Sequence, residues 1–112
     1  MVFDKKGKAE EAKNALDQEI IFKASIKRNK VVGHYIGKNI LNLNDKDLAV
    51  FIDRTIDADF EEKGDDDVIR FFAKEITSIN KSFDEDYIRK MMEKEFNKAY
   101  NELKWNHSNH TL

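Results

Sequence analysis

Lys27, Arg28 and Lys30 set three cations within one helical turn around Asn29, the densest chemistry on the chain. Cations this close fit a phosphate, an acidic partner, or carboxylates supplied from elsewhere in the molecule. The carboxylates exist, because Glu61 to Asp67 carries five in seven residues. Two readings therefore stand: a phosphate or partner patch at Lys27, Arg28 and Lys30, or a solvated face partly paired with the acidic link, which is the simpler of the two. Asn29 lies on one helical stripe with Phe22, Ile26, Gly33, Ile36 and Ile40, so its amide is expected to face neighbouring helices. A register-fixing hydrogen bond to a backbone group is the structural role for such a residue, and a functional contact is the alternative.

Other candidate chemistry is thin. The acidic link has the charge for a hard cation, but it lacks the glycine and terminal glutamate of a calcium loop and reads better as a capped turn. His107 and His110 are three apart with no third ligand near them in sequence, which is too little for a metal site. There is no cysteine for a thiolate or a disulfide. No P-loop, nucleophile elbow, zinc-protease or dinucleotide fingerprint occurs, so neither an enzyme nor a cofactor is expected. The formal net charge of −2, from 20 basic and 22 acidic residues, gives no field to hold a nucleic acid. No apolar run is long enough to span a membrane, and no signal-peptide segment opens the chain. A cytoplasmic location follows as the expectation, and the two N-x-Ser/Thr triplets at Asn106 and Asn109 are then chance.

The elements that must position these residues are helices. Proline is absent and glycine occurs four times in 112 residues, so the punctuation of sheets and hairpins is missing. Residues 1–16 mix charges with few bulky apolar groups and read as a flexible N-terminal arm. Residues 17–104 read as a four-helix bundle, and 105–112 as a short disordered tail. The first helix is expected from Asp17 to Leu41. A second follows Asn44, with Asp47 in a capping arrangement and Leu48, Phe51, Ile52, Ile56 and Phe60 as its stripe. In the acidic link Gly64 suits a positive φ and Asp65 suits the cap of a third helix, which carries Val68, Ile69, Phe72, Ile76 and Ile79. Either Asp84 or a Ser82 and Glu85 capping box starts the fourth, with Ile88, Met92, Phe96, Ala99 and Leu103 as its stripe. Gly33 and Gly37 form a G-x-x-x-G pair whose flanking lysines exclude a membrane dimer and leave close approach of another helix.

Phe22, Lys23, Ala24, Lys27, Arg28, Asn29, Lys30 and Gly33, followed by Asp59 to Glu62, Gly64, Asp65, Asp67, Val68 and Arg70, resemble the zeta-subunit family of inhibitors of the alphaproteobacterial F-type ATP synthase. The likeness extends from Phe3 and Asp4 through Ile88, Arg89, Lys90 and Met92, about residues 2 to 103. It implies a four-helix bundle with an N-terminal arm that folds into the catalytic head, between alpha and beta subunits and against gamma, and blocks ATP hydrolysis. Partner contacts would then come from Phe3, Asp4, Lys6, Lys13, Leu16 and Asp17. A monomer is expected when free, with adenine nucleotide as a weak second ligand and association with the inner membrane through the synthase. The arm departs from the family at Lys5, Lys6 and Gly7 and at Asn14 and Leu16, where an aromatic anchor and a histidine are usual. Loss of the aromatic anchor and the helix penalty of Gly7 together are expected to weaken binding by roughly two orders of magnitude, offset in part by Leu16 and Phe3. The alternative function is a cytoplasmic adaptor or nucleotide-sensing bundle without inhibitory activity.

Overall fold

Along the first helix the buried residues Ile20, Ala24, Arg28, Asn29, Val32, Gly33 and Ile36 recur at helical spacing and define one inward face. The computed structural model describes the backbone of residues 2–60 and 64–110 and the side chains of 17–60 and 64–106. It contains helices α1 (Val2–Tyr35), α2 (Asp45–Asp59), α3 (Asp66–Thr77) and α4 (Glu85–His110), with no strand among the described residues. The protein is an all-α four-helix bundle, as the missing turn residues imply.

Helix α1 starts at Val2 rather than Asp17 and runs through Gly7 without a break. One glycine costs a helix only about 1 kcal/mol, and the residues around it are good helix formers. The side chains of the expected arm, Phe3, Asp4, Lys6, Lys13 and Leu16 among them, lie outside the described residues. At its other end α1 passes into a π-helical turn, Ile36–Ile40, which the sequence pattern did not reveal. Leu41 N–H donates to Ile36 O and Leu43 N–H to Gly37 O, both at 2.9 Å, while Asn42 takes φ of 55°. Asparagine here occupies the left-handed position more commonly held by glycine at helix ends. Helix α3 ends in the same manner: Asn80 has φ of 61°, and the N–H groups of Asn80 and Lys81 donate to Thr77 O and Ile76 O. That early turn carries Ile79 out of the core, to 43% exposure, against the expectation that it completes the α3 stripe.

Helix α2 is capped as its sequence suggests, with Asn44 Oδ1 accepting from Asp47 N–H at 2.8 Å. For α4 the choice falls on Asp84, whose Oδ1 accepts from Tyr87 N–H at 3.1 Å. Glu85 instead pairs with Arg89. The core joins Val32 of α1 and Ile36 of the π turn that follows it, Phe51 of α2, Val68, Ile69, Phe72 and Ile76 of α3, and Ile88 and Met92 of α4. Helix α4 continues through the segment expected to be a tail and remains helical to His110. No glycine or proline follows Leu103 to stop it.

The glycine pair works as spaced. A Cβ on Gly33 would meet Thr55 Oγ1 at 3.2 Å, and one on Gly37 would meet Leu48 Cδ1 at 2.6 Å and Phe51 Cδ2 at 3.1 Å. Both glycines therefore let α2 approach α1 where a side chain would hold it off.

Candidate functional site

Arg28 is 4% exposed and does not share a surface patch with Lys27 and Lys30. Its guanidinium donates to Asp65 Oδ1 at 2.9 Å, to Asp59 Oδ2 at 3.2 Å and to Asn29 Oδ1 at 3.2 Å, and it sits 5.8 Å from the Phe96 ring centre. Asn29 in turn donates to Asp59 Oδ2 at 2.8 Å, so its partners are side chains rather than a backbone group. A single knot thus ties α1 to the end of α2 and the start of α3. The cation in that knot is neutralised by Asp59 and Asp65, and because Arg28 is buried neither a solvated face nor a surface phosphate patch describes it. Lys27 reaches across to Glu102 at 2.6 Å and is about half exposed, while Lys30 is exposed.

Asp65 stands at the N-cap of α3, but its side chain makes no cap hydrogen bond because it is committed to Arg28. Asp67 Oδ1 accepts from Val68 N–H at 2.7 Å, and Asp66 with Asp67 supplies negative charge to the first turn. Gly64 takes φ of 88°, as its place in the link anticipates. Burial raises the pKa of Asp59 above the ordinary carboxylate range. The Asn29 amide and Arg28 pull it down, Asp67 and Asp65 push it up, and desolvation prevails.

Beside the knot lies an open groove of about 780 Å³, lined by Ile21, Phe22, Ile26 and Arg28 of α1, Asp59 and Phe60 of α2, and Met92 and Phe96 of α4. Phe22 is 52% and Phe60 57% exposed, their ring centres 5.7 Å apart. The stripe pattern put both in the core. They line the groove instead because α2 ends at Asp59, level with Arg28 and Asn29, and leaves the side of α1 that bears Phe22 uncovered beyond that point. Asp17 lies just before this groove, half-buried at the base of the expected arm.

Asp59 and the Phe22–Phe60 pair were not singled out as site residues by sequence. The available signal was position: Asp59 is one turn beyond buried Thr55 on α2, and an acid ending a buried stripe needs a buried base opposite. Among the described residues, no group of three His, Cys, Asp or Glu side chains is placed to hold a metal. No described helix is long and apolar enough to cross a membrane.

The knot and the mixed groove beside it sit on an all-α bundle. The chain belongs to the ATPase inhibitor subunit zeta family, whose model matches residues 1–102. No curated protein and no solved structure matches it.

Proposed function

We propose that the protein is a regulatory subunit of the F-type ATP synthase, that it binds the catalytic head at the alpha, beta and gamma subunits, and that residues 1–16 block ATP hydrolysis there. It acts as a regulator, not a catalyst, and is held at the inner membrane by the synthase. The observation that carries this reading is the family match, which begins at residue 1 and so includes the whole arm.

The backbone gives the reading a physical form. Helix α1 runs from Val2 to Tyr35, and its first buried side chain among those described is Ile20. Arm and bundle are thus one helix, and a groove that grips the arm is coupled to the bundle without an intervening linker. The departures at Lys5, Lys6, Gly7, Asn14 and Leu16 set the expectation of weakened inhibition. A nucleotide-sensing adaptor that holds phosphate on Lys27, Arg28 and Lys30 loses support, because Arg28 is spent on Asp59 and Asp65 and Lys27 on Glu102.

The test is retention of the protein by purified synthase in the presence of ATP, with hydrolysis measured on the same sample. Retention with reduced hydrolysis is expected. Failure of retention overturns the reading, and retention with undiminished hydrolysis leaves the partner but removes the inhibitor.

A further inference from the structure

We infer that the outer face of the α1 and α4 pair is a second docking surface, basic with an aromatic anchor, for an acidic surface on a protein subunit of the same synthase, outside the site of the arm. This rests on the proposed function for the identity of the partner, and on the following geometry for the surface.

On α1, Lys23, Lys27, Lys30 and His34 follow one another at steps of four, three and four, so they form one exposed stripe. On α4, Lys94, Lys98, Asn101 and Trp105 repeat the same spacing, with Lys90 a turn earlier. The two stripes flank a shallow groove of about 180 Å³, lined by Lys27, Val31, Lys98, Ala99, Glu95 and Glu102, and the Lys27–Glu102 ion pair bridges it. Glu19, Glu95 and Glu102 are acids on or beside this face, and Asp86, one turn before Lys90, and Glu93 stand at its α4 edge. Glu19 is taken by Lys23, and Glu102 is held below the ordinary carboxylate range by its hydrogen bond with Lys27, with Lys98 adding to the effect. Lys30, Lys90 and Lys94 hold no ion pair among the described residues, so their charge faces solvent.

The face is thus basic on a chain that is acidic overall, while α2 exposes Asp45, Asp47, Asp53 and Asp57. Segregated charge of this kind steers a partner of opposite sign and fixes its orientation. Trp105, 66% exposed, and Val31, 42% exposed, give the face its apolar content. Tryptophan is among the residues that most often carry binding energy at interfaces, while the lysines supply charge for steering. Two apolar groups are too few for a helix lying in a lipid interface, which needs a whole apolar face, so a protein surface is the better fit. Trp105 stands beyond the residues matched by the family model.

The experiment measures binding of full-length protein to purified synthase at low and high salt, for the parent, K30E/K98E, W105A and the control K46E/K74E. The control carries the same charge change on α2 and α3. K30E/K98E is expected to weaken binding by about tenfold at low salt and to flatten the salt dependence, and W105A to weaken it by about tenfold at either salt. The control should stay within about threefold, and inhibition at saturating protein should be unchanged in all four. Parent binding that is insensitive to both K30E/K98E and W105A overturns the docking face while leaving the proposed function intact. An equal loss in the control reduces the effect to net charge and also overturns it. Absence of parent binding overturns both. Retention of the parent by phosphatidylglycerol vesicles, lost in K30E/K98E while synthase binding persists, assigns the face to lipid and overturns the protein partner.

Discussion

The two halves of the α1 stripe carry the same helical spacing and meet opposite fates. From Val32 to Gly37 the face is closed by α2, α3 and α4, with Val32 and Ile36 fully buried and two glycines admitting α2 to contact. From Gln18 to Ile26 the same face borders an open groove, and Phe22 is half exposed. The boundary between them is the knot of Arg28, Asn29, Asp59 and Asp65. Periodicity specifies which side of a helix turns inward. Whether anything arrives to cover that side depends on where the neighbouring helices stop.

The sharpest way to break this contrast is at the boundary. Arg28→Ala takes the guanidinium from Asp59, Asp65 and Asn29 Oδ1 in a mostly buried place, and a loss of about 3 kcal/mol is expected in denaturant unfolding, since removing one member of a buried pair strands the other. A smaller loss, close to that of a surface pair, would mean that the knot is solvated.

In the closed half, Gly37→Val should cost about 2 kcal/mol, because its Cβ would lie 2.6 Å from Leu48 and 3.1 Å from Phe51, and overpacking of that size forces side chains to move. In the open half, Phe22→Ala should cost about 1 kcal/mol or less, as half of the ring is already in water. Similar losses for the two would erase the distinction drawn here.

A pH series probes the knot more gently. The pKa of Asp59 is raised in the folded state, so the native protein holds this proton more tightly than the unfolded chain does. The resulting stabilisation is present below the ordinary aspartate range and is lost as pH rises through the raised folded value. Asp59→Asn does not titrate. The stability of the parent relative to Asp59→Asn should therefore fall as pH increases across that window, and a difference that rises instead would reverse the balance between desolvation and the Arg28 pair.

The all-helical class, the Asn44 cap, the positive φ of Gly64 and the close-approach glycines were legible because each follows from a local rule acting on neighbouring residues, while the start of α4 was narrowed to Asp84 or a Ser82 and Glu85 box. The sequence also held the paired reading of the cations with the acidic link. It did not reveal that Arg28 alone of the three turns inward, because that depends on Asp59 and Asp65 arriving from two other helices. Asp65 fits the cap position, yet its side chain is drawn away to the guanidinium, a choice between partners that spacing cannot make. The π turn at Ile36–Ile40 and the left-handed Asn42 and Asn80 were likewise invisible, since asparagine serves there in a chain poor in glycine.

Under the proposed function, the N-terminal segment is what inhibits the synthase. The most direct measurement is ATP hydrolysis by membrane-bound synthase with saturating full-length protein and with protein lacking residues 1–16. Full-length protein should lower the rate and the truncated form should leave it unchanged. Equal rates with both would mean that residues 1–16 are not the inhibitory segment.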